Sequence, residues 1–426
     1  MMRILRSGSI AATLLAASFL SAPAFAVDLN PTAEPTNAGD YAPKGMPVGG
    51  FRIFPTLDIL GLYDDNVFKT PSPTIGSVYF VERPEVRIAS QWTRNEFDVY
   101  GGTELFEYTH TTTENITNYN VGANGRLDIY NGVDFIADGS FQILHEPRSN
   151  PDLQSLPGFA ARPTQYARTK LDAALEYHPY HFSLSVGGSF ERLDYSRTPL
   201  TPIPGGGVFP GTYRNSDEWD GFVNAGYEFS PGYAVFVRAN YDTRGYDDKF
   251  DLSFGAPGIH RASNGYTVDA GVDMQVTDLI VGSVYGGYLE QLYHDPHLSN
   301  VNGFDFGAKL VWTPDPLWTV KLDASHIVNN TIIANASSEN DQNVRLTVDW
   351  SPLAYLVVEG YGGYINSDFA PNPRRDNYLD AGISAKYILN RYMALKAGYL
   401  FERRDSNQGF ARFTDNQFEI GLLFQE

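Results

Sequence analysis

The 426-residue sequence contains no cysteine. Disulfide frameworks, thiol nucleophiles and thiolate metal sites are excluded at once. Positive charge is scarce as well: 31 Lys and Arg stand against 50 Asp and Glu, a formal net charge of −19. That balance argues against a nucleic-acid partner. Beyond residue 26 no apolar run approaches the roughly 20 residues that a helix needs to cross a bilayer. Catalytic signatures are missing too, with no Gly-x-Ser-x-Gly, Walker loop or His-Glu-x-x-His. The expectation is a protein that is not an enzyme and that uses no cofactor and no metal.

What is present begins with the first residues. Arg3 and Arg6 form a short basic region, Ile10 to Leu20 is mostly apolar, and Ala24-Phe25-Ala26 is a small-x-small cleavage site. This reads as a secretory signal peptide over residues 1–26, removed before Val27. Residues 27–50 are rich in Pro, Gly, Ala and Asn without periodicity, and predict a flexible periplasmic arm. From 51 to 426 one theme repeats: segments of about ten residues alternate apolar and polar between turn residues.

In Tyr266 to Val276 one row is Tyr266, Val268, Ala270, Val272, Met274 and Val276, set against Thr267, Asp269, Asp273 and Gln275. A helix would scatter these residues; a strand sorts them onto two faces. The last strand ends the same way, with Phe418, Ile420, Leu422 and Phe424 on one face and Glu419, Gly421 and Leu423 on the other. Connections alternate between short turns, such as Asn131-Gly132 and Pro231-Gly232, and longer loops, such as 64–77, 146–164 and 196–214. The 27 Tyr and 27 Phe suit aromatic girdles at two membrane interfaces. The fold class predicted is all-β: a transmembrane antiparallel outer-membrane β-barrel of about 18 strands, in a range of 16–18. An even count places both termini in the periplasm.

The rows opposite the apolar ones would line a lumen. Candidates are Glu104, Arg126, Asp128, Lys170, Asp172, Arg238, Asp269, Asp273, Lys321, Asp323, Arg345, Asp349, Glu359 and Lys386. Acid and base recur on one face of a strand, as in Arg126/Asp128, Lys170/Asp172, Lys321/Asp323 and Arg345/Asp349. So many charges require water or other polar groups inside. Carboxylates outnumber cations on the lumen rows, which predicts cation preference in an open channel. Tyr285-Gly286-Gly287-Tyr288 and Tyr361-Gly362-Gly363-Tyr364 place a Tyr on each face. These serve either as sugar-stacking platforms or, the better reading, as interface-belt tyrosines with Gly easing strand bending.

Two stretches together carry a resemblance. Pro55-Thr56-Leu57 leads into Gly61-Leu62-Tyr63-Asp64-Asp65-Asn66-Val67-Phe68-Lys69-Thr70, and Tyr399-Leu400-Phe401-Glu402-Arg403-Arg404-Asp405-Ser406-Asn407 precedes Phe413 and Asn416. They resemble the first strand and last hairpin of the outer-membrane β-barrel porin family associated with bacterial exopolysaccharide gene clusters. The resemblance implies a conduit for export of an exopolysaccharide by passive passage through a hydrated, charged lumen. Alternatives are a general or small-solute porin, and a closed-lumen structural or interaction barrel. The implied partners are outer-membrane lipid and lipopolysaccharide, a polysaccharide cargo, a periplasmic polysaccharide-export protein and the barrel-assembly machinery. The implied motif-loop residues are Asp64, Asp65, Asn66, Arg403, Asp405 and Ser406. Because first and last strands pair in a closed barrel, Arg403 or Arg404 is expected to meet Asp64 or Asp65 over the closing seam.

Overall fold

Period-two alternation becomes eighteen long antiparallel strands in the computed structural model, which describes residues 39–156, 159–201, 207–249, 258–276 and 279–426. The signal peptide expected at 1–26 and residues 27–38 of the arm lie outside the described residues. The first six strands are β1 (Phe51–Asp64), β2 (Ser77–Ser90), β3 (Glu96–Tyr108), β4 (Ile116–Tyr130), β5 (Val133–His145) and β6 (Gln165–Tyr177). They continue as β7 (Phe182–Tyr195), β8 (Ser216–Ser230), β9 (Tyr233–Tyr246), β10 (Ser263–Val276), β11 (Ile280–Tyr293) and β12 (Val301–Asp315). The last six are β13 (Trp318–Asn329), β14 (Glu339–Leu353), β15 (Leu356–Asp368), β16 (Arg375–Asn390), β17 (Met393–Ser406) and β18 (Phe413–Gln425).

Each strand pairs with its sequence neighbour, and β1 pairs with β18 from Thr56↔Gln425 to Asp64↔Gln417, which closes the barrel. Two strands run well into polar sequence: β14 starts with Glu339-Asn340-Asp341-Gln342, and β17 ends with Arg403-Arg404-Asp405-Ser406. These polar ends still satisfy their backbone groups across the ladder, so pairing outlasts the hydrophobic signal. Connections at one rim are short turns; at the other they are loops.

The faces sort as the alternation predicts. Phe418 and Ile420 are 53% and 69% exposed on the outer wall, while Glu419 between them is 6% exposed. Trp312, Trp318 and Trp350 ring the outer wall near the turn rim; Tyr241, Tyr266, Tyr288 and Tyr364 do so near the loop rim. An apolar band between two aromatic girdles is the outer surface that a bilayer requires.

The arm expected at 27–50 is not wholly irregular. Met46–Val48 pairs antiparallel with the start of β1, turning at Gly49-Gly50, and Gly45 N donates to Glu426 O at 3.1 Å. Backbone partners on β1 and the last residue supply what composition alone did not reveal.

Candidate functional site

The closing seam carries the most tightly knit charge cluster. Asp64 ends β1, and the chain then turns so that Lys69 adopts a left-handed backbone (φ 50°), with its N–H donating to Asn66 O at 2.9 Å. That conformation is uncommon for a residue with a Cβ. Lys69 Nζ lies 3.0 Å from Glu402, 3.6 Å from Asp64 and in direct contact with Asp415. Burial alone would lower the Lys69 pKa, but Glu402, Asp64 and Asp415 outweigh it and hold the ammonium well above its ordinary range. Asp65, Asp64 and Asp415 bring carboxylate oxygens within 4.8 Å of one another. The lysine ammonium already contacts two of them, Asp64 and Asp415.

The rest of the motif fixes backbone. Asn416 N and Nδ2 donate to Asp65 at 2.8 and 2.7 Å. Asn66 Nδ2 donates to Thr70 O and to Thr414 O, both at 2.9 Å. The two motifs are neighbours, as closure demands, but the expected pairing of Arg403 or Arg404 with Asp64 or Asp65 does not form. Strand parity turns Arg403 to the outer wall, where it meets Asp405 at 2.9 Å, whereas Asp64 faces inward. Ser406 donates to Asp376 at 2.6 Å. Arg404 does face inward, fully buried between the rings of Tyr378 and Phe413, but its guanidinium is taken by another loop.

That loop lies between β5 and β6, and its described residues 146–156 reach across the lumen at the loop rim. A single helical turn, Pro151–Gln154, is capped by Asn150 Oδ1 accepting from Asp152 N at 2.8 Å. On the far wall Ser149 O accepts from Arg404 Nη1 at 2.7 Å and from the Tyr378 hydroxyl at 3.1 Å, and Gln154 contacts Arg404. Asp152 accepts from Thr331 Oγ1 and Ile332 N at 2.6 and 3.0 Å. The near end is anchored by Arg148 to Glu114 at 2.5 Å and by Arg214 to Glu146 at 2.7 Å. Leu153, Leu156 and Ala160 then pack with Leu200, Phe209 and Ile332 into a small core of loop residues. The mouth is narrowed by folded structure rather than by a passing side chain.

The lumen candidates pair mainly across strands rather than along them. Arg126 meets Asp134 at 2.8 Å instead of Asp128, which takes Arg94 at 2.8 Å. Lys321 meets Asp349 at 2.7 Å rather than Asp323, and Arg345 meets Asp380 at 3.2 Å rather than Asp349. Adjacent strands stand about 4.8 Å apart, while positions two along a strand are nearly 7 Å apart, so the cross-strand partner is nearer. Lys170 and Asp172, 3.3 Å apart, do pair within one strand. Arg238 holds Asp269 at 2.8 Å, and Glu104 accepts from Arg83 at 2.6 Å. Glu359 and Lys386 are buried on the same inner wall, Asp273 shares the row of Asp269, and Asp323 stands in register with Lys309 and Arg345.

The sequence profile of the family described as "Putative beta-barrel porin 2" matches residues 38–426. The chain belongs to this porin family. No curated protein matches it. Among solved structures, the copper transporter OprC aligns with TM-score 0.49 and 10% identity, over 90% of this chain and 81% of that one. OpdL of Pseudomonas aeruginosa gives TM-score 0.44 and 13% identity, over 89% and 99%. OccK2 (OpdF) of Pseudomonas aeruginosa in complex with glucuronate gives 0.44 and 11%, over 90% and 100%.

In this outer-membrane porin the Tyr-Gly-Gly-Tyr repeats resolve into wall-building units. Tyr288 and Tyr364 lie on the outer surface. The inner Tyr285 and Tyr361 each lie under an arginine, Arg238 at 4.5 Å and Arg345 at 4.1 Å from the ring. Each inner ring also covers a glycine of the next strand: a Cβ at Gly307 would meet Tyr285, and one at Gly382 would meet Tyr361, within about 2.5 Å. Arginine on one side and wall on the other leave these rings little face for a sugar. Sequence reasoning missed Lys69, Arg148 and Arg214 as organising residues. Lys69 sits inside the quoted motif, so the signal was present; Arg148 and Arg214 lie in loops without pattern.

Proposed function

We propose that this porin conducts small hydrophilic solutes, with cations preferred, through a lumen narrowed at its loop rim by residues 146–156. The observation that carries this reading is the loop laid across the mouth and bonded to Arg404 and Tyr378 on the far wall. A cavity of about 1300 Å³, its open mouth included, is lined in part by Glu146, Asn150, Pro151 and Asp152 of the loop, and a second of about 1170 Å³ is lined by strand residues between β5 and β13. Carboxylates dominate the inner wall, so cations are the favoured ions. The loop rim would face the exterior and both termini the periplasm, with the short turns on the periplasmic side.

Export of an exopolysaccharide, working with a periplasmic export partner, is the second reading. The paired motifs at the closing seam favour it through the family resemblance. It requires residues 146–156 to leave the mouth during passage. Planar-bilayer recordings separate the two. Small, cation-selective conductance, raised when residues 149–155 are replaced by Gly and Ser, supports the narrowed porin. Deleting the gene should then reduce uptake of a small solute. Lost polymer secretion with unchanged uptake would transfer the function to export. Absence of conductance from both proteins would leave the closed scaffold.

A further inference from the structure

One wall of the barrel is parted. β12 and β13 leave the turn at Pro316-Leu317 paired, and their ladder ends at Gly307 opposite Ser325. Above that point β12 continues against β11 to Val301, and β13 continues against β14 to Asn329. Residues 301–306 and 326–329 thus face one another without ladder pairing among the described residues. Among the described residues, the hairpins β8–β9, β10–β11, β14–β15 and β16–β17 pair up to their loop ends, and β4–β5 stops nearer its loop end, at Tyr119 opposite Ile143.

Side chains stand where backbone pairing is missing. The His326 ring stacks on Phe306 at 6.1 Å and 12°, with Nδ1 3.8 Å from Asp305. From across the lumen, Arg244 of β9 donates to Val328 O at 3.0 Å and to Asn330 at 3.3 Å. The edge of β13 is therefore held from inside, by a residue that also meets Glu218 and Asp242. The cavity of about 1170 Å³ reaches this edge, since Asp305, His326, Ile327 and Val328 are part of its lining. On the outer wall, Phe304 is 67% exposed beside the gap, at the level of the aromatic girdle on the loop side.

Unpaired strand edges facing hydrocarbon are costly unless a cavity or ligand satisfies them. We infer that the β12–β13 gap is a side portal between lumen and membrane for an amphiphile with a cationic head. The head would enter the cavity, where Glu218, Asp220, Asp242 and Asp305 outnumber Arg238 and Arg244. Both arginines are already engaged, Arg238 by Asp269 and Arg244 by Glu218 and Asp242. The chain would lie along Phe304 and Phe306 on the apolar outer wall. This inference stands apart from which solute uses the main axis of the lumen.

The absence of native cysteine makes the test clean. Phe304→Cys with Val328→Cys places thiols at positions that a continued ladder would oppose. In proteoliposomes the probe is dodecyltrimethylammonium, followed with a surfactant-selective electrode. Oxidation should bring its entry down to that of protein-free vesicles, and dithiothreitol should restore it, with small-ion conductance unchanged. His326→Trp, which fills the gap without a crosslink, should give the same loss. Equal entry in oxidised and reduced protein, or unchanged entry in His326→Trp, overturns the portal. Parallel loss of tetramethylammonium flux overturns it as well, because that result assigns the route to the lumen axis.

Discussion

Two seams of one barrel differ in a way that runs against chain connectivity. β1 and β18 lie at opposite ends of the sequence, yet they are locked by Lys69 amid Asp64, Glu402 and Asp415, and by Asp65 against Asn416. β12 and β13 are joined by a two-residue turn, yet they part beyond Gly307 and Ser325. A short turn guarantees proximity only where it starts. Further along, pairing depends on which side chains each edge offers. At the closing seam a motif supplies backbone-directed Asn and Asp; at the parted wall Arg244 donates to Val328 O.

The sharpest break of this contrast is Lys69→Met. It leaves three buried carboxylates uncompensated and should destabilise the barrel by about 3–5 kcal/mol, read as a lower midpoint of heat-induced mobility shift on gels. Lys69→Arg should recover part of the loss. The pH dependence has a definite sign. The Lys69 pKa is raised on folding, so its contribution is whole below about 10.5 and is lost only as pH climbs through the higher folded value. Wild-type stability should therefore persist into strong alkali at this seam, and the Met variant should lack that plateau.

A charge on the bilayer face ranks next. Val272→Arg near midspan should cost on the order of 2–4 kcal/mol, whereas Asp273→Asn, on the inner row, should cost less. Equal losses would mean that the faces of β10 are misassigned. Beside the parted wall, Asp295 in the loop after β11 is a smaller lever. Burial would raise its pKa, but N–H donors of His260 and His297 and the His297 ring bring it down to about 2. Its contribution is present above the ordinary value near 4 and fades as pH falls toward 2. Asp295→Asn should lower the protection of the His260 and His297 amides at neutral pH and should remove the acid dependence of that protection. The smallest effect belongs to the half-exposed Arg403–Asp405 pair: Arg403→Ala should change stability by about 0–1 kcal/mol. A loss matching Lys69→Met would show that the outer side of the seam, and not the buried cluster, holds it.

The sequence by itself determined the strand count to within two, the two faces of each strand and the alternation of short turns with loops. Those follow from a period of two acting locally, so each segment states its own inner and outer row, as 266–276 does. It also marked Asp64, Asp65 and Asn66 as belonging near the final hairpin, because closure forces first and last strands together. Partner choice was legible only in part. Arg126, Lys321 and Arg345 take acids on neighbouring strands, and which acid is nearest depends on register, a relation between strands that no single segment encodes. Two features were decided by tertiary structure alone. Residues 146–156 cross the mouth because Arg404 and Tyr378 meet Ser149 from a wall more than 200 positions away in the chain. At the gap between β12 and β13, Arg244 from a third strand donates to the carbonyl of Val328. Long-range hydrogen bonds of this kind carry no periodic trace in the sequence, since each depends on where the closed wall brings two distant side chains.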